Sequence, residues 1–159
     1  MSIETDLKKE GIEIIKPLDT LKINLIASKV ANLLIDTLPD LHLNYQKLFI
    51  KLSRLNMYIA KMPEGTSKAK YFYKNSSIYF DENIDFNKIN NSILHECIHC
   101  IQEYRDNKNN LLRLGLCDFL NTRLPGMGLN EAAVQLLTTS CLNNPKQAEK
   151  YYGISLRYN

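Results

Sequence analysis

His95-Glu96-Cys97-Ile98-His99 constrains this chain more than any other feature, because it lies in a run that leaves almost no polar face. Ile89, Ile93, Leu94, Cys97, Ile98 and Ile101 recur at helical spacing, and a helix that is apolar nearly all round is buried. One α-helical turn takes about 3.6 residues, so His95 and His99 stand one above the other on the remaining side. Polar histidines on a buried helix need partners, and a metal ion satisfies two at once. Glu96, about 100° further round the helix, is placed to hold a water at such an ion and to accept its proton. The chain has three histidines, and two of them fall in this register around a glutamate.

The segments around this helix set the fold class. Leu21, Leu25, Val30-Ala31, Leu34 and Leu38 give a helical period over 20–38, opened by Asp19 or Thr20 and closed by Pro39. A shorter helix is expected over 45–54, with Leu48, Phe49 and Leu52 inward. After Leu55 the pattern changes: 56–62 reads as a strand, and 69–74 and 77–80 read as a hairpin turning at Asn75-Ser76. Asp85 or Asn87 is expected to cap the histidine-bearing helix, running to about Asn107. A loop at 107–110 precedes a stretch, 111–120, that reads as helical. The last strong helix covers 129–141, with Leu129, Ala133, Leu136 and Leu137 as its core stripe, and Pro145 opens a short terminal helix.

The expected architecture is therefore α+β in a single domain over 1–159. It has a helical N-terminal part at 19–55, a sheet of about three strands with its helix at 56–107, and a helical C-terminal part at 111–159. A chain of 159 residues can bury a real core. The net charge of +3 is too small, and the lysines too scattered, to point to nucleic acid. The N-terminus carries no apolar h-region and no stretch approaches a membrane span of roughly 18 apolar residues. The reading is thus cytoplasmic, without membrane association. Cys97, Cys100, Cys117 and Cys141 are expected as reduced thiols packing the core; the Cys97–Cys100 spacing falls inside a helix, not on the turn that zinc knuckles use.

A catalytic zinc takes three protein ligands and leaves a fourth position open. His42, the remaining histidine, lies far upstream and suits a surface or capping role. Glu131 is the better candidate: it begins the 129–141 helix beside the small Ala132 and Ala133, and Glu131, Gln135 and Thr138 make a polar stripe at i, i+4, i+7. An acidic residue in a helix first turn is also ordinary on dipole grounds alone.

With these residues the chain resembles the zincin metallopeptidases, in particular the gluzincin pattern of HExxH followed by a downstream glutamate on a second helix. The likeness spans roughly 56–142. It implies a zincin-like fold, one Zn2+ held by His95, His99 and Glu131, Glu96 as general base, and peptide or protein substrates bound along an edge strand, for which Ser77-Ile78-Tyr79-Phe80 is the candidate. The metzincin pattern is excluded, because Gln102-Glu103-Tyr104-Arg105 follows the motif in place of a glycine and a third histidine. Two departures stand out. Gln135 occupies the position where many gluzincins have an aspartate supporting a histidine, although its amide oxygen can accept a histidine N–H. The C-terminal part is short, so the oxyanion donor would come from Tyr104, Arg123, Tyr151 or Tyr152. The resemblance implies a zinc peptidase; the departures keep open an inactive metal-binding or regulatory module, and a hydrolase of non-peptide amides.

Overall fold

A computed structural model describes residues 2–143 together with the backbone of 149–151 and 154–156. In chain order its elements are α1 (Ile3–Lys9), β1 (Glu13–Pro17), α2 (Thr20–Thr37), a 3-10 turn (Pro39–Leu41), α3 (Tyr45–Ser53), β2 (Asn56–Lys61), β3 (Ala69–Phe72), β4 (Ser77–Asp81) and α4 (Asn91–Ile101). They continue with β5 (Glu103–Arg105), β6 (Leu111–Leu114), β7 (Cys117–Asp118), α5 (Met127–Cys141), β8 (Glu149–Tyr151) and β9 (Ile154–Leu156). The class is α+β, as expected.

The main sheet has four strands in the order β1-β2-β4-β3, one more than the sequence indicated. β2 and β4 run parallel, and the β3–β4 hairpin is antiparallel with Tyr71 opposite Ile78. This order corrects the choice of edge strand. Ser77–Phe80 lies in β4, which is paired on both sides and buried throughout, so it offers no backbone to a ligand. The free edge beside the histidine helix belongs to β3.

The sheet buries both faces by alternation. Met57, Ala69, Tyr71, Ile78 and Phe80 face the helices, where they join Ile26, Val30, Leu52, Ile93, Leu94, Cys97 and Val134 in the principal core. Ala60, Phe72 and Tyr79 face the other way, onto Leu7 and Ile12 of the α1 region. α2 presents Ile26, Ala27, Val30, Ala31 and Leu34 inward, while Leu21 and Leu25 are exposed. All four cysteines are buried free thiols, and burial pushes the Cys97 thiol well up and the Cys100 thiol to about 12, so they are packing groups at neutral pH.

Three boundaries differ from those read in the sequence. α4 begins at Asn91, because the Asn90 side chain accepts from the Ile93 N–H at 3.0 Å. It ends at Ile101 because the next residues leave for a second, three-stranded sheet, β5-β6-β7. The stretch 111–120 is accordingly strand and turn, not helix. Leu111–Leu114 pairs with Glu103–Arg105 on one side and with Cys117–Asp118 on the other. Gly115 makes the turn at φ +56°, where a Cβ would stand 2.2 Å from Asn130 Oδ1. The helix expected from Pro145 falls mostly outside the described residues, and β8 and β9 pair as a hairpin within 149–156. Among the described residues no helix is long and apolar enough to cross a membrane. His42 is an exposed C-cap in the left-handed region, in keeping with a capping role.

Candidate metal centre and its cleft

α4 is buried from Ile93 to Cys100, and His95, Glu96 and His99 are buried with it. α5 crosses the histidine face, and its orientation reverses the expected stripe. Leu129 and Leu136 are 66% and 50% exposed, while Asn130, Val134, Gln135, Thr138 and Thr139 are buried. Burying so many polar groups is tolerable because each of these finds a partner. The Thr138 and Thr139 hydroxyls donate to the Val134 and Gln135 carbonyls at 2.8 and 3.0 Å. The Asn130 amide accepts the Leu116 N–H at 3.0 Å and donates to Gln102 Oε1 at 3.3 Å.

This packing brings His95, His99 and Glu131 together, with one ligand atom from each within 4.8 Å of the others. The contacts are tighter than that limit. His95 Nε2 and His99 Nε2 are 3.0 Å apart, and each lies 3.2 Å from a Glu131 carboxylate oxygen. Ligands at 2.0–2.1 Å in a tetrahedral zinc site stand roughly 3.3–3.4 Å from one another. The spacing is therefore close to a tetrahedral face. His95 Nδ1 lies 3.1 Å from Gln135 Oε1, an acceptor, so Nδ1 carries the hydrogen and a neutral His95 turns its Nε2 lone pair inward. There it meets an imidazole nitrogen and a carboxylate, a set of electron-pair donors that a cation reconciles. His99 Nδ1 is buried and has no hydrogen-bond partner among the described residues.

Without a cation, protons on the histidine rings tie the three groups together. Burial opposes the Glu131 charge, yet hydrogen bonds from protonated His95 and His99 overcome it and hold its carboxyl at about 2. Burial likewise disfavours a charged His95, and Glu131 with Glu96 outweighs it, raising the ring above its ordinary value. Glu96 is moved the other way: burial lifts its carboxyl, against the pull of His95, His99 and a 2.6 Å hydrogen bond that Oε2 accepts from the Tyr71 N–H.

The centre lies in a cleft of about 890 Å³. One side is the outer edge of β3. The Asp81 N–H donates to the Lys68 carbonyl at 2.8 Å, whereas the Tyr71 N–H turns to Glu96, so Ala69, Tyr71 and Tyr73 direct their backbone groups away from β4. Leu114, Phe119 and Met127 add apolar lining, with the Phe119 ring packed edge-on against Tyr73 at 4.8 Å between centroids. Sequence reasoning missed this lining and the Tyr71–Glu96 contact, because both join residues brought together only by the fold. Of the four oxyanion candidates, Tyr104 and Arg123 do not line the cleft, and the Tyr151 and Tyr152 side chains lie outside the described residues.

A hydrogen-bonded clamp fixes the strand edge. The Tyr71 hydroxyl donates to Glu103, whose carboxylate also pairs with Arg105 through Nε and Nη2 at 2.9 and 2.8 Å. Arg105 Nη2 reaches on to the Tyr73 carbonyl at 2.8 Å. Two outward-facing residues of the β3 segment are thereby tied to the chain that leaves α4. No protein-family model, curated protein or solved structure matches this chain.

Proposed function

We propose that the protein is a zinc-dependent metallopeptidase of the zincin type. The observation that carries this reading is the convergence of His95, His99 and Glu131 in a cleft that the outer edge of β3 also lines. The donor set, two imidazoles and one carboxylate that all line the cleft, suits catalytic zinc, which takes three protein ligands. Zinc held there supplies Lewis acidity, polarising a carbonyl and acidifying a neighbouring water.

The residues of the chain do the rest. His95 is oriented by Gln135, which fixes the tautomer that presents Nε2. Glu96 takes a proton from the water and returns it to the leaving amine. The Tyr71 N–H holds that carboxylate in place through one oxygen and leaves the other for the water. β3 lines the cleft with its Tyr71 N–H and Tyr73 carbonyl already engaged by Glu96 and Arg105, so a substrate strand pairs only with the other outward groups of 69–71.

A second reading, a metal-binding module without turnover, is favoured by one observation. Neither Tyr104 nor Arg123 reaches the cleft to stabilise a developing oxyanion. Glu96→Gln separates the two. The peptidase reading expects a parent with one zinc per chain that cleaves peptides, and a variant that binds zinc equally but turns over at least about 100-fold more slowly. A parent that binds zinc and peptides without cleavage establishes the module instead.

A further inference from the structure

A second cavity, of about 530 Å³, lies where α3, the end of α4 and β5 meet, and no residue lining it lines the metal cleft. Lys47, Lys51 and Arg54 follow one another at i, i+4 and i+7, so they share one face of α3. With Arg105 they bring four cations to the cavity against one carboxylate, Glu103, and that carboxylate is committed to Arg105. Lys51 donates to the Ile101 and Glu103 carbonyls at 3.2 and 3.3 Å, which anchors its ammonium without neutralising it. Among the described residues Lys47 and Arg54 pair with no carboxylate, and α3 itself contains no acidic residue. The helix dipole accounts for Lys51 and Arg54 at the C-terminal end of α3, but Lys47 stands in its first turn, where a cation is disfavoured. Lys47 and Lys51 also repel each other at i, i+4. An anion seated among them relieves both costs.

We propose that this cavity binds a small phosphorylated molecule, with Lys47, Lys51 and Arg54 holding its phosphate groups. A phosphate ester carries about −1.5 to −2 charge at pH 7, so one or two phosphates use the surplus that a lone carboxylate would leave mostly unmatched. The Arg54 guanidinium can take two phosphate oxygens in its planar fork, and the lysines act as point charges beside it. The volume falls within the roughly 300–1,000 Å³ usual for small-molecule sites. Ile50, Leu55 and Cys100 give the organic part of such a ligand an apolar lining, and Ser76 and Asn109 add uncharged hydrogen-bonding groups. The Cys100 thiol stays protonated at neutral pH and puts no repelling charge beside the phosphates. The site uses none of His95, His99 and Glu131, so it stands or falls apart from the metal centre.

The test is titration calorimetry of the full chain at low salt, freed of metal so that no anion binds through zinc. The probes are pyrophosphate, inorganic phosphate and succinate. Pyrophosphate is expected to bind once per chain, about ten-fold more tightly than phosphate and more tightly than succinate. The affinity should fade toward 1 M salt, where screening acts over about 3 Å. Lys47→Gln and Arg54→Gln replace exposed side chains, so each should leave the melting temperature near that of the parent and weaken pyrophosphate about three- to ten-fold. Lys61→Gln, on an exposed position of β2 outside the cavity, should leave the affinity unchanged. No pyrophosphate binding below about 1 mM, succinate binding as tightly as pyrophosphate, or Lys47 and Arg54 variants that bind like the parent overturns the proposal. Equal weakening by Lys61→Gln also overturns it, because the attraction then belongs to the net charge and not to this cavity.

Discussion

His95 Nδ1 and Gln135 Oε1 stand 3.1 Å apart across the α4–α5 interface, both fully or nearly fully buried. The contact joins the candidate metal centre to its supporting helix, and it does so with a neutral amide. A carboxylate at this place would draw the imidazole N–H more strongly and make Nε2 a better ligand. Gln135→Glu, which keeps the side-chain length, is expected to tighten zinc binding. Gln135→Leu, of similar volume, should weaken it about 10- to 100-fold, the range typical of lost outer-shell partners. Competition against a chelating dye measures both, and an unchanged affinity in both variants removes Gln135 from the site.

Glu131 presents one oxygen toward each histidine, so in the zinc reading its removal withdraws the one carboxylate of the candidate ligand set. Glu131→Ala is expected to lose zinc at concentrations that saturate the parent. The apo variant should also be less stable than the apo parent. Glu131 ionised at about 2 is held so by the two histidines, and its loss leaves these buried rings facing each other without their acceptor. Metal analysis after gel filtration checks the first effect; thermal melts with and without zinc check the second.

Gly115 sits under the helix that carries Glu131. Its φ of +56° disfavours any side chain, and a Cβ would come within 2.2 Å of Asn130 Oδ1 and 2.8 Å of the Gln102 side chain. Gly115→Ala therefore costs about 1–2 kcal/mol in backbone strain alone, and more if the Leu116 N–H loses its acceptor on Asn130. For a domain of this size each kcal/mol lowers Tm by about 2–4 °C. A melting curve superposing on the parent's would contradict this account of the turn.

The sequence made the chemistry more legible than the architecture. His95 and His99 could be paired because i, i+4 spacing is local, and Glu131 with Gln135 because the same spacing repeats on α5. The hairpin of β3 and β4 was readable from Asn75-Ser76 between two aromatic runs. The order β1-β2-β4-β3 was not, since the parallel β2–β4 pairing inserts across the hairpin and leaves no local mark. Leu111, Leu112 and Leu114 look helical by propensity, and tertiary pairing with Glu103–Arg105 overrides it. α5 inverts the usual rule that apolar residues face inward. Its inner face carries Glu131, Gln135 and Thr138 because the partner helix offers it histidines, not a greasy surface. α1 and β1 went unread for a simpler reason: seven and five residues with few buried side chains carry too little pattern.

Asp81 gives the fold a pH dependence at the acid end. Burial works against its charge, but N–H groups of Met62 and Asn83 and the Lys68 ammonium hold the carboxyl below its ordinary value. A depressed folded-state pKa adds stability that is complete above the unfolded value, near 3.9, and is lost as pH falls through the folded one. Asp81→Asn should thus be less stable than the parent at pH 7, and the difference should shrink as pH drops below about 4. Denaturant titrations at pH 7 and pH 3 test the sign; a gap that widens at pH 3 rejects the assignment.

The last expectation concerns the clamp behind the strand edge, where the order of effects matters more than their size. Tyr71→Phe removes one hydrogen bond to Glu103 but leaves the Glu103–Arg105 pair intact. Glu103→Ala removes the anion, and strands a half-buried guanidinium that also holds the Tyr73 carbonyl. Losing a hydrogen bond to a charged group costs about 1.5–3 kcal/mol, and breaking a buried pair from one side about 3–5 kcal/mol. The second figure is an upper bound here, because Arg105 retains 20% side-chain exposure and water screens part of the loss. Glu103→Ala should therefore destabilise more than Tyr71→Phe, and Glu103→Gln should fall between them. In the peptidase reading the same order should appear in KM for peptides, because the clamp fixes the edge on which they pair, while zinc affinity stays near that of the parent. Equal KM values across the three variants, with stabilities in the expected order, would make the clamp a purely structural device.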